Sequence, residues 1–258
     1  MMLSPILASR PRCVLFLVSF IKMPPSEFLT AEWRHLAMLN FDIDAAVLAP
    51  LVPAGTELDQ FNGRTIVSLV GFLFLNTRVL GVPVPFHRDF EEVNLRFYVR
   101  RKADDEWRRA VVFVKELVPR RAIAAVARAV YGENYLAVPM SHSVEPGRVM
   151  YNWQLNGAEN SILVTFHGDP SAVEIGSEAE FITEHYWGYS RGARDRTTEY
   201  KVAHPRWRVR NADHSQFIGD VAGPYGKEFV AVLGRAPTSA FLAEGSEVTV
   251  FKGVSLDV

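Results

Sequence analysis

The stretch RHLAMLNFDIDAAVLAPLVPAGTELD, Arg34 to Asp59, reads as a strand, a short helix and a Pro-Gly turn in that order. Leu36, Met38, Asn40 and Asp42 alternate with Ala37, Leu39, Phe41 and Ile43. This is the two-residue period of a strand with one apolar face on a core, and it places Arg34 at the strand's start. Asp44 is set to cap a helix running through Leu51, because its carboxylate can accept from the first free backbone N–H groups. Pro53 and Gly55 end that helix. Arg64 to Leu75, opened by the turn Asn62-Gly63, mixes Val, Ile, Leu and Phe on both faces, which predicts a central, doubly buried strand.

Further along, Leu80 to Arg88 carries Pro83 and Pro85 and reads as an irregular crossing outside any ladder. Asn94 to Arg100 alternates Leu95, Phe97 and Val99 with Asn94, Arg96, Tyr98 and Arg100, a half-buried strand with a large cationic face. Arg109 to Leu117 is the next strand. Pro119 to Gly132 is a helix with Pro at its start, Gly at its end and a core stripe of Ile123, Val126, Ala127 and Val130. Strands are expected at Leu136 to Ser143, Arg148 to Leu155, Ser161 to His167, Thr197 to Val202, Phe229 to Leu233 and Val248 to Leu256. Ser177 and Glu180 form a capping box for a helix reaching about Tyr189. Many strands, few helices and no regular βαβ alternation predict an α+β protein, mainly antiparallel β, whose sheet closes on itself to avoid bare edges.

The 258-residue chain carries a net charge of −1, which offers no electrostatic case for nucleic acid or an anionic membrane. Small uncharged or singly charged partners fit it better. Cys13 is the single cysteine, so neither an intrachain disulfide nor a thiolate cluster can form, and a cytoplasmic protein is the natural reading. No glycine motif for phosphate or dinucleotide is present, and Glu184, His185, His204 and His214 follow no recognised metal spacing, so neither a cofactor nor a metal is expected. The apolar run Cys13 to Ile21 is too short for a bilayer span of roughly 20 residues. With no small-residue cleavage site after it, residues 1–22 read as a dispensable leader, and residues 23–258 as one domain.

The Arg34 segment resembles the YqjF-like family of uncharacterised bacterial proteins (domain of unknown function 2071), distant relatives of acetoacetate decarboxylase. In that superfamily a strand carries an Arg beside the pocket, followed by D-x-x-x-L and V-P; Arg34, Asp44, Leu48, Val52 and Pro53 match. An active-site Glu follows an aromatic residue in a strand, and Phe90-Glu91-Glu92 stands there, with Glu92 the better candidate. The Schiff-base Lys and its partner Lys follow an A-V-x-R helix. Here Ala125-Val126-Ala127-Arg128 precedes Tyr135 and Leu136 where those lysines belong. A phenol of pKa about 10 cannot form an imine, and Lys115 is the remaining lysine near this region.

The resemblance implies an acetoacetate decarboxylase-like barrel around a pocket for an anionic or carbonyl-containing small molecule. Arg34 is its expected ligand-binding residue, joined by Arg96 from the polar face of its own strand; Glu92 and Tyr135 are the expected catalytic pair, Glu92 as proton acceptor and Tyr135 as hydrogen-bond donor. Whether such a pocket catalyses a reaction stays open at this point, as does oligomerisation. The alternative is a structural or regulatory protein with a vestigial pocket, whose aromatics Trp187, Tyr189, Tyr200 and Trp207 cover the barrel or an interface. If residues 1–22 are dispensable, deleting them should leave the unfolding temperature unchanged. A loss of several degrees by calorimetry, about 1 kcal/mol or more in a chain of this size, would show that the leader packs on the domain.

Overall fold

A strand of 17 residues, β1 (Glu27–Ile43), carries the segment on which the fold turns, and Arg34 lies in its middle rather than at its start. The computed structural model describes residues 26–192 and 196–256; the leader 1–22 lies outside them. Both faces of β1 are buried. Ala37, Leu39 and Phe41 enter one core, Leu36 and Met38 a second. Asn40 is enclosed with them and is satisfied by hydrogen bonds from Ser68 Oγ at 2.7 Å and to Ser239 Oγ at 3.0 Å. Asp44 caps as expected, accepting from the Ala46 N–H at 2.9 Å, and α1 (Ala45–Leu48) tightens into a 3₁₀ turn that ends at Leu51.

Three long strands follow: β2 (Thr65–Val79), β3 (Phe90–Ala103) and β4 (Glu106–Val118). Between β2 and β3, Val82 and Pro83 fold back to pair with Val79 and Arg78. That segment therefore joins the ladder, at an edge where a missing proline N–H costs nothing. On β3 the polar, cationic face is interior: Asn94, Arg96 and Tyr98 are buried. α2 (Arg121–Tyr131) ends at Gly132, which adopts φ 70°. It meets the interior through Ile123 and Ala124, whereas Val130 is exposed. β5 (Tyr135–Ala137) then runs parallel to β4, with Tyr135 opposite Glu116.

β6 (Met140–Glu145), β7 (Arg148–Leu155) and β8 (Ala158–Thr165) form a second, antiparallel sheet, completed by His214–Ile218. Its Tyr151 and Trp153 supply the outer core behind Leu39, Leu69 and Leu95. α3 (Glu178–Thr183) starts at its Ser177 cap but stops well before Tyr189. The chain there becomes β9 (Trp187–Arg191), followed by β10 (Thr197–Ala203). The segment 229–233, expected as a strand, is instead the end of a 3₁₀ turn and a short helix, Val230–Leu233, whose Phe229 and Leu233 enter the outer core. β11 (Ser239–Phe251) closes the main sheet against β1. No helix among the described residues is long and apolar enough to cross a membrane.

The result is a mostly antiparallel β protein with few helices. The main sheet runs β11-β1-β2-β3-β4-β9-β10, and β10 pairs again with β11 through Val202↔Val250 and Ala203↔Thr249. One irregularity fixes what the interior receives from β1. Pairing with β2 shifts between Arg34 and Ala37, and His35 there takes φ 55°. This is a β-bulge, which reverses the facing of every residue beyond it. Trp33 before the bulge and Leu36 after it consequently point the same way, and Arg34 points the other. Opposite the bulge, Gly245 adopts φ 78°, and a Cβ there would collide with the Trp33 carbonyl oxygen. Gly245→Ala should cost roughly 1–3 kcal/mol through backbone strain and overpacking. Calorimetry showing no loss would mean that the bulge can move aside.

Candidate functional site

Between the main sheet, α2 and α3 lies a cavity of about 200 Å³. Its walls are largely aromatic, including Trp33, Phe72, Phe74, Phe90, Phe113, Trp187 and Trp207. Its polar groups sit mainly on one strand face and at the end of α2. Glu92, Asn94 and Arg96 follow one another at the two-residue spacing of β3, all facing inward. Glu116 reaches the cavity from β4, Glu133 and Tyr135 from the turn after Gly132, and Tyr200 from β10. The Tyr200 ring lies over Gly188 on the neighbouring strand, where a Cβ would overlap it.

A second bulge determines what β4 contributes. Leu95 pairs with Lys115 but Arg96 pairs with Phe113, leaving Val114 as the extra residue. Val111 and Phe113 line the cavity before it, and Glu116 lines it after. Lys115 is turned away, donating to Asn134 Oδ1 at 2.6 Å. Burial, and then the charge of Arg128, lower its pKa. Among the described residues, no lysine lines the cavity.

Three carboxyl groups are thus enclosed together: Glu92 and Glu116 are each 2% exposed and Glu133 6%. Tyr135 Oη donates to Glu92 Oε2 at 3.1 Å, and Asn94 Nδ2 to Glu92 Oε1 at 3.0 Å. Tyr200 Oη donates to Glu133 Oε1 at 2.8 Å. Glu116 Oε2 and Asn94 Oδ1 are buried without a partner. Burial, the largest influence on each, disfavours the charged form. It lifts Glu92 to about 7 and Glu133 to about 8. Glu116 is raised well above the ordinary carboxylate value by burial and then by the charges of Glu133 and Glu92. The Tyr135 phenol is also pushed up by burial and then by Glu116 and Glu92, so it stays protonated.

Arg96 is the one arginine lining the cavity among the described residues. It donates to the Ile182 carbonyl at 3.4 Å, its Cζ lies 5.8 Å from the Tyr98 ring centre, and its Nε–H has no partner. His185 lies tilted against Tyr98, with ring centres 4.7 Å apart, and has Nε2 3.7 Å from Asp59 Oδ2, beyond hydrogen-bond length. Burial lowers its pKa to about 4, leaving a neutral imidazole. No group of residues able to hold a metal is found among the described residues.

Of the four residues expected at a site, Glu92, Tyr135 and Arg96 come together on this cavity. Arg34 does not line it. It shares the outer face of β1 with Glu32, to which its Nη2 pairs at 2.7 Å, and donates to the Gly245 carbonyl at 3.3 Å. Glu116, Glu133, Tyr200 and His185 were not expected there. Trp187 and Trp207 likewise face the cavity rather than an outer surface.

This architecture is the acetoacetate decarboxylase-like fold. It is similar to acetoacetate decarboxylase from Legionella pneumophila, with a TM-score of 0.66 at 12% identity over 97% of this chain and 98% of that one. It is also similar to the enduracididine biosynthesis enzyme MppR complexed with pyruvate, with a TM-score of 0.62 at 13% identity over 92% and 93% of the two chains. Within that fold, residues 30–247 match DUF2071, described as an uncharacterized conserved protein, and the chain belongs to this family. It is 25% identical to the uncharacterized protein YqjF of Bacillus subtilis (strain 168) over 201 residues, 75% of this chain and 80% of that protein.

The buried carboxyls give the fold a pH signature. A carboxyl whose pKa rises on folding holds its proton more tightly when folded, so its contribution is complete below the unfolded value near 4.5 and is lost as pH rises. For Glu92 and Glu133 the loss extends through about 7 and about 8. Neutral His185 has the opposite sign, and its contribution is lost as pH falls below 6.5 toward about 4. Between 6.5 and 8 the carboxyls therefore act without opposition from His185. The unfolding temperature should fall as pH rises across that window, and Glu133→Gln should flatten the fall. A flat wild-type profile would contradict the assignment.

Proposed function

We propose that the protein binds a small organic acid or ketone inside a closed barrel and acts on it by non-covalent acid/base chemistry. The observation that carries this reading is the Tyr135–Glu92 hydrogen bond at the wall of a largely aromatic cavity. A carboxyl with a pKa of about 7 is suited to exchange a proton with a ligand at neutral pH. In this reading Glu92 is the proton acceptor and donor. Tyr135 donates a hydrogen bond to the ligand's oxygen whenever Glu92 is protonated, and the unpartnered Arg96 Nε–H orients the same carbonyl or carboxylate. The return of the sheet from β10 to β11 supports the barrel, and pyruvate in MppR supports a small carbonyl ligand in this fold.

Covalent imine chemistry is no part of this proposal. The sequence resemblance sets Tyr135 where the nucleophile is expected, and Lys115, beyond the bulge at Val114, bonds Asn134 instead of lining the cavity. The non-enzymatic alternative relied on exposed aromatics at an interface. Trp187, Tyr200 and Trp207 serve the cavity instead.

Borohydride added with acetoacetate should leave the protein mass unchanged; a stoichiometric adduct on Lys115 would overturn the non-covalent reading. α-Proton exchange into deuterated water, followed by NMR with acetone, pyruvate and acetoacetate, tests the acid/base role. Exchange catalysed by the wild type should fall by about 100-fold or more in Glu92→Gln. Wild-type exchange at the uncatalysed rate with all three, or undiminished exchange in the variant, would count against it.

A further inference from the structure

Two buried atoms at the acidic end of the cavity are left without partners. Asn94 Oδ1 is an acceptor, Glu116 Oε2 becomes one once that carboxyl gives up its proton, and both belong to side chains lining the cavity. Around them stand Glu92 and Glu133, whose own partners are the neutral donors Tyr135, Asn94 and Tyr200. No lysine or arginine forms an ion pair with any of the three carboxyls among the described residues. Arg96, the nearest cation along β3, is engaged by Ile182 and Tyr98. Among the described residues, three carboxyls thus share the chamber with a single guanidinium, and the remaining surface is mostly aromatic.

We propose that the ligand of this cavity carries an ammonium group, seated among Glu92, Glu116 and Glu133 with its N–H groups on Glu116 Oε2 and Asn94 Oδ1 and its apolar body against the aromatic walls. The inference rests on the reading that the cavity is the ligand site, and it names the charge of the group that fills the acidic end. A carbonyl or carboxylate at the Arg96 end is compatible with it, so the class indicated within the organic acids and ketones is an amino ketone or an amino acid.

The energetics favour a cation there over an anion. Without a cation beside them the carboxyls hold their protons; an incoming ammonium lets Glu116 release its proton to solvent and supplies the counter-charge that the ionised group lacks, whereas a ligand carboxylate would add a like charge beside any of the three that ionises. The aromatic rings of the wall, Trp33, Phe72 and Trp187 among them, strengthen the preference, because a desolvated cation is attracted to the electron-rich face of a ring. The cavity also has the right size: at about 200 Å³ it exceeds the roughly 150 Å³ that accepts benzene in an engineered protein core.

Three probes of nearly equal shape separate charge from size: benzylamine, benzyl alcohol and benzoate, each titrated calorimetrically into the full-length protein at neutral pH. Benzylamine should bind about tenfold or more tightly than benzyl alcohol, the difference expected of one desolvated charge contact, and benzoate most weakly. Glu116→Gln, which keeps the side-chain volume, should remove that advantage and leave benzyl alcohol unchanged. Binding of benzoate or benzyl alcohol in preference to benzylamine would overturn the inference while leaving the cavity as the ligand site. Failure of all three to bind would overturn both. Undiminished benzylamine affinity in Glu116→Gln would place the cation elsewhere and equally refute the assignment.

Discussion

Strand register decides the chemistry of this protein. A side chain on a strand faces one side or the other by parity, so one inserted residue exchanges the two sets beyond it. The bulge at His35 returns Leu36 to the face of Trp33 and leaves Arg34 outside with Glu32. The bulge at Val114 turns Lys115 out and brings Glu116 in. Without the second bulge the cavity would receive an amine where it now holds a third carboxyl. Its electrostatic character, an acid cluster held near neutrality by burial, follows from that single extra residue.

The two structural layers divide their labour accordingly. The smaller sheet, with Tyr151 and Trp153, packs the outer face of the long strands and makes a dense core there. Tyr151 also hydrogen-bonds the His35 carbonyl at 2.8 Å, so the outer layer holds the first bulge in place. The inner face is freed from the need to pack fully and can enclose polar groups. Glu92, Glu116 and Glu133 are tolerated inside because protonation and the hydroxyls of Tyr135 and Tyr200 relieve what would otherwise be a heavy desolvation cost.

Most strands, the caps at Asp44 and Ser177 and the Gly132 stop could be read directly from residue type and spacing, because each is a local signal. The bulges could not. Alternation carried straight through VVFVKEL assigns Lys115 and Glu116 to the wrong faces, and nothing local marks Val114 as the inserted residue. Similarly, Asn94, Arg96 and Tyr98 have the pattern of a solvated face; only the enclosing α3, β9 and β10 make it an interior one. Phe229 to Leu233 has strand composition yet folds as helix, tertiary packing having overridden a short apolar run. Glu92 and Tyr135 were legible through family resemblance, whereas Glu133, two residues from Tyr135, needed the turn after Gly132 to show that both face inward.

The central claim is that these carboxyls remain substantially protonated inside the folded protein at neutral pH. Infrared spectroscopy in deuterated water reads this directly, since a protonated carboxylic acid has a carbonyl stretch that the carboxylate lacks. The account predicts such a band in the folded wild type at pH 7, weakened in Glu116→Gln and fading as the pH is raised past 8. Absence of the band at pH 7, with all three groups ionised, would contradict it.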